Sequence, residues 1–145
     1  MATYNKFNAF VEHLATGVHN FTSDSTCTLK VALCASANAP VAGNSALADL
    51  TQVSYTNCSS RDLAISSSSQ TAGLYKLVLS DLTLTASGGS VGPFRYVVVY
   101  NDDPTSPADP LVGWYDYGSD LTLADGDSIR IELSPTNGFI QIQAQ

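Results

Sequence analysis

Two histidines and thirteen carboxylates are the groups in this chain best able to do chemistry. Nucleophilic catalysis needs a base beside the nucleophile and a third group to orient that base. His13 and His19 have no serine in a G-x-S-x-G context to serve. Their i, i+6 spacing also misses the i, i+4 spacing of helix-borne zinc ligands. The pair therefore reads as ordinary surface or partly packed histidine. Asp102, Asp103 and Asp109 share one segment, and Asp116, Asp120, Asp125 and Asp127 share another. Calcium would want alternating oxygen donors at short spacing. The EF-hand pattern is absent, and Pro104, Pro107 and Pro110 restrict how the first segment could wrap an ion. Solvated turn aspartates are the reading, with calcium at a subunit contact as the sharper alternative. Two carboxylates facing each other across a cleft could hydrolyse a glycoside, but no motif marks such a pair. Gly88-Gly89-Ser90-Val91-Gly92 lacks the Lys-[Ser/Thr] and the helix of a phosphate cradle; Pro93 and a strand follow it. The expectation is a chain with no catalytic residue, no cofactor and no metal ligand.

The elements that would position any site are mostly strands. Thr28-Leu-Lys-Val-Ala-Leu-Cys34 alternates, with Leu29, Val31 and Leu33 inward. Residues 35–50 read as a long loop with one helical turn near Leu47. Short strands are expected at Leu50–Tyr55 and Arg61–Ser66, and Ser66–Ser69 is a short low-complexity tract. Leu74–Leu84 reads as a long strand bent at Ser80-Asp81. Gly88 to Pro93 reads as a turn, and Phe94–Tyr100, apolar apart from Arg95, as a strand covered on both faces. Asn101–Pro110 must be an exposed loop. Leu111–Tyr117, Ser128–Leu133 and Phe139–Gln143 complete the strands. A hairpin-type turn is expected at Ala124-Asp-Gly-Asp127, and another turn at Asn137-Gly138. The one helix is expected at about 4–16. Thr3 would cap it, Gly17 would stop it, and Phe7, Phe10, Val11 and Leu14 would form its apolar stripe. The fold class is mostly β: a single-domain antiparallel β-sandwich or jelly roll with one short N-terminal helix.

Composition narrows the function classes. The chain has 145 residues, 44% of them hydrophobic, enough for one packed domain. Only 13% are charged, about half the usual share of roughly 25%. The net charge of −7 and the scatter of six basic residues argue against nucleic acid. No apolar run approaches the roughly 20 residues of a membrane span, and the N-terminus carries no apolar leader core. Cys27, Cys34 and Cys58 are odd in number and lack C-x-x-C spacing. They are expected to be free thiols in a reducing compartment. On that reading the sequons at Asn20 and Asn57 are chance matches.

Aromatic residues are the remaining candidates. On an alternating strand Tyr115 and Tyr117 share one face and Trp114 takes the other. One face is core; the other offers an interface or a platform for stacking carbohydrate. Tyr4, Phe7 and Phe10, on the N-terminal segment, form a candidate docking element. The candidate interface is thus Tyr4, Phe7, Phe10, Trp114, Tyr115 and Tyr117.

In order along the chain stand Tyr4-Asn-Lys-Phe-Asn-x-Phe-Val, His19-Asn20, Thr28-Leu-Lys-Val-Ala-Leu and Ala39-Pro40-Val41. Then come Ser69-Gln-Thr-Ala-Gly-x-Tyr-Lys-Leu, Gly88-Gly-Ser-Val-Gly-Pro-Phe-Arg-Tyr, Gly113-Trp-x-Asp-Tyr-Gly and Leu123-Ala-Asp-Gly. This series resembles a family of small structural proteins of tailed phages. The resemblance implies a capsid decoration, or cement, protein with a jelly-roll-like fold. Such a protein would sit on the outer surface of the virion head, bound to the major capsid protein and to itself as a dimer or trimer. It would bridge capsomers through many weak contacts, with no nucleic acid or membrane partner and no catalytic residues. The chain departs from the pattern between about Thr51 and Ser66, where Cys58, Arg61 and Asp62 replace an expected Gly-rich loop. The alternative function is a tail- or fibre-associated module contacting host glycan through Tyr115 or Tyr117. An enzyme, such as a depolymerase fragment, is the remotest reading.

Overall fold

Alternating apolar residues and frequent Gly-Pro punctuation give this chain ten strands and one α-helix, in a computed structural model that describes residues 2–22, 27–133 and 136–144. The strands are β1 (Thr3–Lys6), β2 (Leu29–Cys34), β3 (Asp62–Leu63), β4 (Ile65–Thr71), β5 (Leu74–Leu79), β6 (Leu82–Thr85), β7 (Val91–Asn101), β8 (Leu111–Leu123), β9 (Ser128–Ile131) and β10 (Ile140–Gln143). The helix α1 spans Asn8–Ala15. Antiparallel pairing builds a five-stranded sheet in the order β1-β8-β7-β2-β3, a three-stranded sheet β10-β5-β4 and a ribbon β6-β9. The protein is mostly β, a single β-sandwich-like unit.

The centre of the large sheet is covered on both faces. Leu29, Val31, Ala32, Leu33 and Cys34 are all fully buried, as are Val98 and Val99. Leu33 lies opposite Val97, and Ala32 opposite Val98. Strand alternation then sends these cross-strand pairs to opposite faces. Trp114, opposite Val98, packs against Phe7 with ring centroids 4.5 Å apart. On the other face Tyr115 packs at a tilt against Tyr4 at 4.9 Å, and Phe139, just before β10, approaches Tyr4 edge-on at 5.4 Å. Those rings tie the second sheet to the first.

The N-terminal segment corrects the expected 4–16 helix. Thr3–Lys6 pairs with Asp116–Gly113 as an edge strand, so Tyr4 belongs to a sheet. Phe7 occupies the N-cap position in extended conformation with no side-chain cap, and Thr3 plays no capping role. Gly17 does end the helix, at φ +77°. Gly113 is what lets β1 approach: a Cβ there would stand 2.7 Å from the Asn5 carbonyl oxygen and 2.6 Å from the Tyr4 hydroxyl. Phe7 and Phe10 are buried, while Val11 is 66% exposed.

Four other segments differ from the expected pattern. Residues 50–55 form no strand: the Val53 N–H donates to the Leu33 carbonyl, and the Tyr55 hydroxyl accepts the Leu33 N–H at 2.8 Å. A side chain thus takes the place of a ladder partner. The expected Leu74–Leu84 strand breaks at Ser80-Asp81 into β5 and β6, which join different sheets. Asp81 holds that corner by accepting the Leu133 N–H and the Arg130 guanidinium. The turn at Ala124–Asp127 forms, with Asp127 N–H donating to the Ala124 carbonyl, but it links β8 to a strand of the ribbon and is no hairpin. Val91 to Pro93, expected as turn, begins β7 with irregular pairing to β8.

Candidate functional site

Among the described residues, most aspartates accept from backbone N–H groups or nearby cations. Asp102 accepts from Lys30 Nζ at 2.7 Å and Asp103 from the Thr28 N–H at 2.6 Å. Asp116 makes a two-pronged pair with Arg95 at 2.7 and 2.9 Å, and also accepts the Gly118 N–H. These bonds hold the Asp116 carboxyl below its usual range, the Arg95 contact being the largest cause. Asp120 caps Ser36, Asp125 accepts the Gly88 N–H, and Asp127 accepts the Ala124 N–H. Among the described residues no three His, Cys, Asp or Glu side chains gather where they could share a metal ion. Cys34 and Cys58 are free thiols.

His13 is partly packed, within the expected surface or partly packed reading, and His19 departs from it. His19 is buried, stacked on Phe21 at 5.2 Å, with its ring centroid 5.8 Å from that of His13. The turn after α1 folds back, the His19 N–H reaching the His13 carbonyl, and brings together two rings that helical spacing alone keeps apart. Burial, and then the neighbouring His13, push the His19 imidazole down to about 4. The folded state therefore binds fewer protons than the unfolded chain between about pH 6.5 and pH 4, and stability falls with pH across that window. The loss should reach about 2–3 kcal/mol. Asp81, Asp49 and Asp116 are depressed below ordinary carboxylates, so their contribution is lost only at lower pH. Urea midpoints measured from pH 7 to pH 4 should slope for the native chain and stay nearly level for His19→Gln. An equal slope in both would assign the effect elsewhere.

Of the six candidate interface residues, three have no surface to offer. Phe7, Phe10 and Trp114 are 1%, 3% and 9% exposed and are core, because α1 and β1 fold back over β8. Tyr4 is half-buried, its hydroxyl enclosed without a hydrogen-bond partner. Burial, with Tyr115 beside it, raises that phenol well above its ordinary range. Tyr115 is partly buried and Tyr117 is 54% exposed, on the face expected from alternation.

Two surface features remain. The first is a ridge along α1. The Asn8 N–H donates to Ala42 at 2.9 Å, setting the helix beside exposed Val41. Val11 lies one turn further, and Leu14 shares a hollow of about 320 Å³ with Phe21, Tyr75 and Ile142. Among the described residues, the large apolar side chains standing well exposed are Val11, Val41, Tyr117 and Ile142; Val11 is on α1, Val41 is next to the residue bonded to its first turn, and Ile142 lines the hollow with Leu14. The second feature is a cleft of about 620 Å³ between β8 and β9, lined by Tyr115, Tyr117, Arg130 and Glu132 among others. Sequence reasoning missed Val41, Ile142, Arg130 and Glu132. The alternation of Ser128-Ile-Arg-Ile-Glu132 was the only available signal for the last two.

Comparison of the chain with protein-family models, with curated proteins and with solved structures finds no match.

Proposed function

We propose that this chain is a structural virion protein, a capsid decoration protein that binds the outer surface of a tailed-phage head and stabilises the shell without chemistry. The observation that carries the reading is the apolar ridge: Val11, Val41 and Ile142 stand in water on a scaffold whose other large apolar groups, Tyr117 aside, are largely covered among the described residues. Apolar side chains held out on a stiff β-framework suit adhesion. Asp103, Asp116 and Asp125 are engaged with backbone N–H groups or a cation. Where two carboxylates do meet, Asp109 being raised by burial and then by Asp102, the Lys30 ammonium is paired with Asp102 beside them. The series of sequence blocks from Tyr4 to Gly126 supports the same reading. Repetition on a symmetric shell multiplies a weak contact, so one ridge per copy is enough. The partners are the major capsid protein and further copies of this chain, as a dimer or trimer, on the virion surface.

Cryo-electron microscopy of the particle tests the proposal. Density for this chain on the outer head surface, with α1 turned towards the shell, is the expected result. Particles whose heads carry no such density would end the reading.

A further inference from the structure

The cleft between β8 and β9 is built differently from the ridge, and its walls select a ligand class. Tyr115, Tyr117 and Ser119 project from one face of β8, and Val97 lies directly opposite Tyr115. The facing wall is β9 with the residue after it: Ile129 and Ile131 are partly buried, while Arg130 and Glu132 are exposed. The volume, about 620 Å³, lies within the roughly 300–1,000 Å³ of small-molecule sites.

The platform is stiff before any ligand arrives. Tyr115 is clamped by Tyr4 at 4.9 Å. The strand between the two tyrosines is pinned by the two-pronged Arg95–Asp116 pair on its other face. Arg130 is held towards Asp81, with its side chain still 63% exposed. A fixed site loses little freedom on binding, which favours weak, small ligands.

The chemistry excludes other classes. A phosphate-bearing ligand would meet one guanidinium already paired with Asp81, in a chain of net charge −7. A wholly apolar ligand would strip water from Arg130 and Glu132 without replacing their hydrogen bonds. What fits is a ring with an apolar face and a hydroxyl-bearing edge. The face lies on a tyrosine, and the hydroxyls meet a carboxylate acceptor and guanidinium donors.

We propose that this cleft is a binding site for neutral oligosaccharide, with Tyr117 as the stacking surface, Tyr115 as the floor, and Glu132 and Arg130 as hydrogen-bonding groups at the rim. No bond is made or broken there; the site holds sugar. It lies on different elements from the ridge and is independent of the shell-binding reading.

An array of neutral and acidic oligosaccharides, probed with the labelled 145-residue chain, tests this. Native protein should bind neutral glycans. Tyr117→Ala and Glu132→Gln should each weaken binding at least tenfold, and Tyr117→Phe, which keeps the ring, should retain it. Tyr117 and Glu132 are exposed, so thermal melts of the variants should overlay the native curve. Absence of any neutral glycan signal, binding confined to acidic glycans, or binding that survives both Tyr117→Ala and Glu132→Gln would overturn the proposal. The assay uses isolated protein, so its outcome leaves the virion imaging result untouched.

Discussion

Phe7→Ala should lower the unfolding free energy of the isolated chain by about 3–5 kcal/mol, the usual cost of emptying a buried aromatic position. Phe7 is 1% exposed and lies at the junction where β1 becomes α1. Its ring packs on Trp114, and the Phe7 N–H reaches the Val112 carbonyl. Removing the ring leaves a hole beneath the junction of the two N-terminal elements, which the Gly113-dependent strand contact, the Tyr4 ring contacts, the Asn8–Ala42 hydrogen bond and Phe10 do not fill. Val11→Ala, four positions on and 66% exposed, should change stability by no more than about 0.5 kcal/mol. Urea unfolding of the two variants makes the comparison. A Phe7→Ala loss below about 1 kcal/mol would mean that the ring is not needed by the chain itself and would return Phe7 to the candidate interface.

That contrast shows why the N-terminal stripe was only half legible. The i, i+3, i+4, i+7 pattern of Phe7, Phe10, Val11 and Leu14 marks a helix, and a helix forms over most of that span. Periodicity does not say how wide a stripe the core can cover. The sheet covers Phe7 and Phe10, leaves Leu14 partly open and leaves Val11 in solvent. Nor does a four-residue segment such as Thr3–Lys6 carry enough alternation to be told from the first turn of a helix. Its state is decided by β8, more than a hundred residues away in sequence, and by the missing side chain at Gly113. The strands with strong local alternation, β2, β9 and β10, were legible with small errors at their ends. Partnerships were not: the Asp-Gly turn after β8 has hairpin chemistry, yet the strands it joins pair with β7 and β6. The cleft wall formed by Arg130 and Glu132 depends on such long-range pairings, and the His13–His19 approach on the back-folded turn after α1. They first become visible with the three-dimensional structure.

On the proposed capsid-decoration reading, shell binding should fall about a hundredfold when Val11 and Ile142 are both changed to Asp, with the fold retained. Both side chains are exposed in the isolated chain, at 66% and 45%, so the substitutions cost it little. Against a partner the balance reverses. Each native side chain buries further apolar area on docking, worth roughly 1.5 kcal/mol, and the pair together about 3 kcal/mol. Every 1.4 kcal/mol is tenfold in affinity, which gives about a hundredfold. Two carboxylates carried into a dry contact deepen the loss, and avidity then works against the variant, because each weakened site also weakens its neighbours' hold. The measurement is sedimentation of capsids assembled without this chain and then incubated with native or variant protein over a concentration series. Tyr117→Ala, altered in the cleft and not on the ridge, should saturate those capsids at native concentrations. If the Val11→Asp, Ile142→Asp protein saturates them equally well while melting as the native chain does, the ridge is not the surface that meets the shell.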